Sequence, residues 1–370
     1  MITVIGASGF TGGLVVELLG GAGLAMRLAG RNQQKLQSLA QRISLPTEIA
    51  RLDARDRISL AKTISGSRVV INCAGPFSDS GIEVVKAAAE AGAHYLDVTG
   101  EQSFIARVIN ECGQLALDRN VCLVPACAFE YAIADAASAY LRSRLGELDE
   151  FSATYIISGF YTSRGTKRSV MRALAAPAYQ LRGGRLVKID PGEVSELVDA
   201  DAGKLCKFRF PGGEVFLVPL HEKVASVNTY MTMSAPYMVL AALSRFGPFL
   251  ARSPLAPALD FMIGRAGGDP LRHDQTRFKI VCSGSPRRID QAFLTDGKRA
   301  GSLEGDQSAV VRIAGLDPYF LTARIVTRCA TAIMEQPSSI PRGVVSAAML
   351  RGYEFIKAIT EEEGVVWQDG

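Results

Sequence analysis

The chain opens with Met1-Ile2-Thr3-Val4-Ile5-Gly6-Ala7-Ser8-Gly9-Phe10-Thr11-Gly12. Ile2 to Ile5 read as a buried β-strand that runs straight into Gly6-x-x-Gly9-x-x-Gly12 and then into a helix with an apolar face, Leu14, Val15, Val16, Leu18 and Leu19. A strand, a glycine-rich turn and a helix in that order form a phosphate grip for a dinucleotide. The first glycine permits the tight turn, the second lets the pyrophosphate approach the backbone, and the third lets the helix pack on the strand. The positive end of the helix then faces the phosphates. One more residue separates the first two glycines here than in the G-x-G-x-x-G of many NAD enzymes.

The end of the second strand selects the dinucleotide. NAD enzymes place an acid there for the ribose 2′-hydroxyl, whereas this chain has Met26-Arg27-Leu28-Ala29-Gly30-Arg31-Asn32. No carboxylate repels a 2′-phosphate, Arg31 offers a planar fork of donors, and Asn32 adds another. The expected cofactor is therefore NADP(H).

Strand signals near 2–6, 25–30, 48–53, 69–73, 94–98 and 121–126 alternate with helical patterns, so residues 1–130 are expected to form a doubly wound, six-stranded parallel Rossmann sheet. Ligands of such sheets lie at the carboxyl ends of the strands. Asp53 after strand three is a candidate for the adenine side, and Cys73, Ala74, Gly75 and Pro76 after strand four for the nicotinamide side. The loops after strands five and six, Asp97 to Glu101 and Pro125 to Tyr131, are expected around the nicotinamide.

Beyond residue 150 the pattern changes to short β-branched or aromatic runs at 151–158, 185–189, 206–210, 215–219, 224–232, 276–283, 288–295 and 308–313. These predict a second, α+β domain over 131–318, mostly antiparallel, for substrate and dimerisation. Helical patterns at 319–336 and 343–359, within a C-terminal segment 319–370, are expected to return to the first domain, since two isolated helices cannot bury their apolar faces. Overall the chain reads as α/β.

At 370 residues, 48% hydrophobic and 21% charged, the composition is that of a folded protein. A net charge of +4 with scattered basic residues does not indicate nucleic acid, and the short cluster Arg164, Lys167, Arg168, Arg172 is the sole candidate. Seven cysteines without a C-x-x-C pair and three histidines without metal-ligand spacing predict reduced thiols, no metal and a cytoplasmic setting. A strand that begins at residue 2 leaves no removable signal peptide. The apolar stretch 231–264 is interrupted by Arg245, Arg252 and four prolines, so no run of about 18–20 residues is available to cross a bilayer. It reads as a buried helix pair or homodimer face, or else as the wall of an apolar pocket or a lipid-surface contact.

Hydride transfer also needs a proton donor, and Glu101, Glu130, Tyr131 and Tyr161 all fall on loops able to edge the cleft. Tyr353-x-x-x-Lys357 has the spacing of a short-chain dehydrogenase pair but lies far beyond the dinucleotide sheet, and reads as one face of the last helix. Cys73 reads as a small apolar filler, because no histidine is placed to activate it.

The segments GASGFTG (6–12), LAGRN (28–32), INCAGPF (71–77), GAHYLDVTGE (92–101) and ACAFEY (126–131) together resemble the saccharopine dehydrogenase-like oxidoreductases, a group that includes trans-acting enoyl reductases. The resemblance continues more weakly in Ser163-Arg164-Gly165-Thr166, in Asp317-Pro318-Tyr319 with Thr322-Ala323, and in Pro341-Arg342-Gly343-Val344-Val345. It implies that Gly6, Ser8, Gly9, Phe10, Thr11 and Gly12 hold the pyrophosphate, Arg31 and Asn32 the 2′-phosphate, and Cys73, Ala74, Gly75 and Pro76 the nicotinamide half.

The function so implied is NADPH-dependent reduction of a polarised double bond. A C=C in a small or carrier-bound hydrophobic substrate is favoured, because apolar length exceeds clustered charge in the second domain. Reduction of an amino-acid-derived imine, with Arg164, Lys167 and Arg168 clamping carboxylates, is the alternative, and a non-catalytic NADP-binding sensor or scaffold is the third reading. The protein is expected to bind NADPH at least tenfold more tightly than NADH, about 1.4 kcal/mol, and Arg31→Ala to remove most of that preference. Fluorescence titration with both cofactors checks this.

Overall fold

Parallel pairing of short, fully buried strands builds the first sheet. A computed structural model describes residues 1–159, 163–191, 193–200, 203–234, 273–287 and 308–370. Strands β1 (Ile2–Ile5), β2 (Met26–Gly30), β3 (Thr47–Arg51), β4 (Val69–Asn72), β5 (His94–Asp97) and β6 (Cys122–Val124) alternate with helices α1 (Phe10–Gly21), α2 (Gln33–Ala40), α3 (Arg57–Ile64), α4 (Phe77–Glu90) and α5 (Gln102–Asp118). Neither face of β1 or β4 is exposed, so both strands are continuous runs of Ile and Val with one polar interruption, rather than alternations.

The strand order is β15-β6-β5-β4-β1-β2-β3, all parallel, where β15 is the dipeptide Gly343–Val344. Six strands were expected, and the seventh comes from the distant end of the chain. Pro341 and Gly343, whose φ is 91°, stop any helix from starting at 343, and the freed backbone pairs with the open edge of β6 through Gly343 N to Val121 O (2.9 Å) and Val345 N to Leu123 O (2.9 Å).

Helix α6 (Phe129–Leu145) follows β6 and is buried on nearly every side; Ala132, Ile133, Ala134, Ala136 and Ala137 are within 1% of complete burial. Small residues let it lie between the first sheet and a second, formed in the order β10-β11-β12-β7-β13-β14-β16. These strands are β7 (Leu148–Ser158), β10 (Val194–Ala200), β11 (Gly203–Arg209), β12 (Ser226–Ser234), β13 (Arg277–Pro286), β14 (Ala309–Leu316) and β16 (Val366–Asp369). The hairpin β8 (Ala178–Arg182) and β9 (Arg185–Ile189) hangs from β12, and helix α7 (Arg164–Ala175) precedes it. All neighbours are antiparallel except β12 with β7.

The run at 215–219 is not the expected strand. Glu214–Leu217 is a single helical turn, α8, continued by a 3-10 turn over Val218–Leu220, because a short apolar run has no period to tell strand from helix. The expectations at 288–295 and for most of 231–264 fall on residues outside those described. Helix α9 (Pro318–Glu335) packs on α1, α6, β4 and β5, burying Leu321, Ile325, Val326, Ala330 and Ile333 against the first sheet's layer. The pattern at 343–359 is α-helical only in α10 (Tyr353–Glu362), preceded by a 3-10 turn at Ala348–Leu350; in α10 Lys357 pairs with Glu361 at 2.7 Å and Tyr353 meets the Tyr140 ring edge-on. Neither faces the strand ends.

Asp135, the one acid fully enclosed within α6, is satisfied from two directions. Its Oδ1 lies 2.6 Å from His221 Nε2, and its Oδ2 accepts from Ala348 N at 3.2 Å, while Glu222 Oε1 meets the other imidazole nitrogen at 3.2 Å. Burial alone would lower the imidazole's pKa; the Asp135 charge and the hydrogen bonds to Asp135 and Glu222 outweigh it and carry it up to about 10. His221 is thus a cation that pins α6 to the 3-10 turn over Val218–Leu220, while Asp135 itself holds the turn after β15.

Because the folded pKa is raised, this stabilisation is complete below the unfolded histidine value of about 6.5 and is lost as pH rises through 10. His221→Gln should cost about 3–5 kcal/mol near neutrality, since it leaves Asp135 buried without its cation. The urea midpoint of the wild type should fall more steeply than the variant's between neutral pH and pH values above its folded pKa.

Candidate active site

The carboxyl edge of the first sheet gathers the loops that sequence spacing singles out. Gly6, at φ 77°, turns the chain from β1 into α1, and a Cβ there would lie 2.8 Å from Ala74 N and Cys73 C, so the phosphate turn and the loop after β4 can meet only over a glycine. A Cβ on Gly12 would fall on the Gly6 carbonyl oxygen. Ser8 Oγ is the atom nearest the missing Cβ of Gly30, at 3.5 Å. Beyond it Arg31 is exposed and, among the described residues, makes no ion pair. Asn32 caps α2 by accepting from Lys35 N (3.0 Å), and the exposed Asp53 accepts from Arg55 N (3.1 Å). The cradle left by these glycines, the helix N-terminus behind them and the open guanidinium fit a dinucleotide with a 2′-phosphate.

On the nicotinamide half, Gly75 is exposed beside partly buried Cys73, Ala74 and Pro76. Burial, with the nearby Asp97 charge, pushes the Cys73 thiol up to about 12, which suits a filler and not a nucleophile. Asp97 accepts from Thr99 N (3.0 Å) and Ala126 N (2.9 Å), tying the ends of β5 and β6 together, and burial holds it up at about 7.

The four candidates for proton transfer diverge. Glu101 is completely buried and its carboxylate accepts from Phe77 N (2.8 Å), Ser78 N (2.9 Å), Ser78 Oγ and Ser169 Oγ (2.8 Å). Pro76, at the N-cap of α4, has no side chain to cap it, so Glu101 supplies the acceptor from the next loop. Tyr131 is 1% exposed, donates to Gly100 O at 3.2 Å, and lies against Gly213, with burial raising its phenol well above 10. Tyr161 lies outside the described residues.

Glu130 differs from these. It sits in the first turn of α6, is partly exposed, has a carboxylate oxygen 3.7 Å from where Gly100 would carry a Cβ, and is raised by burial to about 7. Below it Tyr155 Oη contacts Glu214, which is fully buried and raised to about 8 chiefly by burial, and donates to Glu130 O at 3.2 Å. Glu214 escaped sequence reasoning because its partners come from β7 and α6, 59 and more residues away.

Helix α7 closes over this rim. Ser169 touches both Gly75 and Glu101, and Arg172 grips Asp79 through Nε (3.0 Å) and Nη2 (3.3 Å). Gln102 ties the same edge to the second sheet's side, donating to Tyr179 O (3.0 Å) and Gly212 O (2.8 Å).

Against known proteins, residues 2–143 match the family described as saccharopine dehydrogenase NADP binding domain. Those residues are similar to an NADP-binding domain of saccharopine dehydrogenase type. The match agrees with the missing acid after β2. A lipid droplet localized protein of Caenorhabditis elegans is 31% identical over 209 residues, 52% of this chain and 49% of that protein. A trans-acting enoyl reductase of Mycobacterium bovis is 31% identical over 134 residues, 35% of this chain and 32% of its own length. The chain spans about half the length, or less, of the curated relatives it matches. The fold of the whole chain follows apo saccharopine dehydrogenase (L-Glu forming) from Saccharomyces cerevisiae, with a TM-score of 0.64 at 12% identity over 100% of this chain and 99% of that one. Among the described residues no helix is long and apolar enough to cross a membrane, and no three side chains form a metal site. All seven cysteines are free.

Glu101→Ala leaves two α4 amides and two serine hydroxyls without their shared acceptor, and should cost about 2–3 kcal/mol, read from urea denaturation. Glu101→Gln should retain more than half of that stability, since its oxygen still caps the helix.

Proposed function

We propose that the protein is an NADPH-dependent reductase acting on a polarised C=C of an enoyl or other hydrophobic acyl-type substrate, small or carrier-bound, with Glu130 as the proton donor. The observation that carries the reading is Glu130, a partly exposed residue at the head of α6 whose carboxyl burial raises to about 7, beside Gly100 on the loop after β5. In this reading the first domain spans 1–130 and the second 131–318, with 319–370 returning to the first. Gly6, Ser8, Gly9, Phe10, Thr11 and Gly12 hold the pyrophosphate, Arg31 and Asn32 the 2′-phosphate, Asp53 the adenosine end, and Cys73, Ala74, Gly75 and Pro76 the nicotinamide. The bound cofactor supplies a hydride to the acceptor carbon. Glu130 then gives its proton to the adjoining atom, while Glu101 and Tyr131 fix the loops around it.

A relative named trans-acting enoyl reductase and another named for lipid droplets support an apolar acceptor. The free thiols suit a cytoplasmic protein, and the apolar run 231–264 suits a homodimer face or a wall of the substrate pocket. Reduction of an imine is the second reading, favoured by the seating of the basic helix α7 on the nicotinamide rim, where Lys167 and Arg168 suit a substrate carboxylate. The sensor or scaffold reading loses its motive once Glu130 provides a donor.

Consumption of NADPH, followed by absorbance with a panel of 2-enoyl thioesters and with imines formed from 2-oxo acids and amino acids, separates the readings. Enoyl thioesters are the expected acceptors; turnover of the imines alone replaces the first reading with the second, and no turnover with either panel counts against both. Glu130→Gln should lower kcat by about a hundredfold or more with NADPH affinity retained. A general acid works protonated, so the wild-type rate should be highest below the Glu130 value of about 7 and fall as pH rises through it.

A further inference from the structure

Three of the segments flagged by resemblance, though far apart in the chain, converge on one phenol. Asp317, at φ 50°, starts α9 by accepting from Phe320 N (3.1 Å), and Pro318 then sets the direction of Tyr319, which is 9% exposed. The Tyr319 ring meets Phe10 edge-on, with centroids 5.0 Å apart and planes at 87°. Phe10 follows Gly9 directly as the first residue of α1, so its backbone moves with the phosphate turn. On its other side, Tyr319 Oη accepts from Ser163 N (2.8 Å) and shares a hydrogen bond with Thr166 Oγ1 (2.8 Å). Ser163 is itself the N-cap of α7, accepting from Thr166 N at 3.2 Å. Both partners of the hydroxyl belong to the start of α7.

Helix α7 therefore bridges the cleft. Its first turn is held through Tyr319 to the pyrophosphate half, and its later turns are held by Ser169 to Glu101 and by Arg172 to Asp79 on the nicotinamide half. We infer that Tyr319 is a positioning residue that makes the seating of α7 on the nicotinamide rim depend on occupancy of the phosphate turn. A phosphate held by the amides at the head of α1 restricts the turn and the Phe10 ring. The edge contact then fixes the ring of Tyr319, and its hydroxyl fixes the start of α7. Coupling of this kind needs a contiguous set of packed groups with defined geometry, and each link here is a named contact. The inference rests on NADP binding alone and not on which double bond is reduced.

Hydrogen exchange of the full chain, with and without NADPH, tests it in the wild type and in Tyr319→Phe, which keeps the ring and loses the hydroxyl. In the wild type, NADPH should slow exchange both at the head of α1 and along α7. In Tyr319→Phe the head of α1 should stay protected, the NADPH dissociation constant should rise by no more than about threefold, and the protection of α7 should fall by at least half. Phe10→Leu, which leaves the hydroxyl network and removes the edge contact, should uncouple α7 in the same way when NADPH is raised until the head of α1 is protected, and decides the matter if Tyr319→Phe does not fold. With an accepted substrate, Tyr319→Phe should lower kcat while the KM for NADPH stays nearly constant. Equal α7 protection in the wild type and both variants, or none in the wild type, overturns the inference. Neither readout from exchange requires turnover, so a failed reductase assay leaves this test standing.

Discussion

A helix buried on nearly every side can carry polar groups only where partners are built for them, and α6 is such a helix up to its exposed last turn. Its alanines let the second sheet and the C-terminal helices close on it, so its buried polar groups are dictated by what those elements offer. Midway, Asp135 is tolerable because His221 and the Ala348 amide reach it. At its head, Glu130 is only partly exposed, beside Gly100 on the loop after β5. The burial that makes α6 the keystone of the packing also raises the Glu130 carboxyl toward neutrality.

Around that helix, the candidate site is assembled by long-range satisfaction of backbone donors. The glycine turn after β1 and the loop after β4 interlock because Gly6 faces the Cys73–Ala74 backbone too closely to leave room for a Cβ. The open N-terminus of α4 is closed by Glu101 from the following loop, and the same carboxylate receives Ser169 from α7. One anion therefore caps a helix of the first sheet and fastens a helix that leads into the second. A carboxylate committed to four donors has little freedom to shuttle a proton, which is why burial and hydrogen bonding, rather than residue type, separate Glu101 from Glu130.

Most of the first sheet was legible in the order of residues. Strands buried on both faces are uniform apolar runs, the turns between them are punctuated by glycine, and Gly6, Gly9, Gly12 and Arg31 stand at fixed offsets from strand ends. The second sheet was legible as a class but less so in detail. The run 215–219 became a helical turn because its apolar residues had no period, and β10 and β16, at the two ends of the strand order, went unread because their short sequences mix charged and apolar residues. The seventh strand of the first sheet was invisible for another reason: two residues pair with β6 across more than two hundred positions, and no local pattern records that.

The amino-acid sequence by itself determined the dinucleotide turn, the preference for a 2′-phosphate and the alternation that makes a parallel sheet. These are local matters, since φ at a glycine, a missing carboxylate and a helix dipole act within a few residues. Tertiary structure decided the roles of the ionisable groups. Glu130 and Tyr131 are adjacent in the chain and Glu101 lies on the preceding βα loop, yet Glu101 caps a helix, Tyr131 is locked in packing and Glu130 stays partly exposed, because burial and partners come from segments far away in sequence. Electrostatic environment is set by what surrounds a group in space, and that surrounding exists only once the fold has closed on α6.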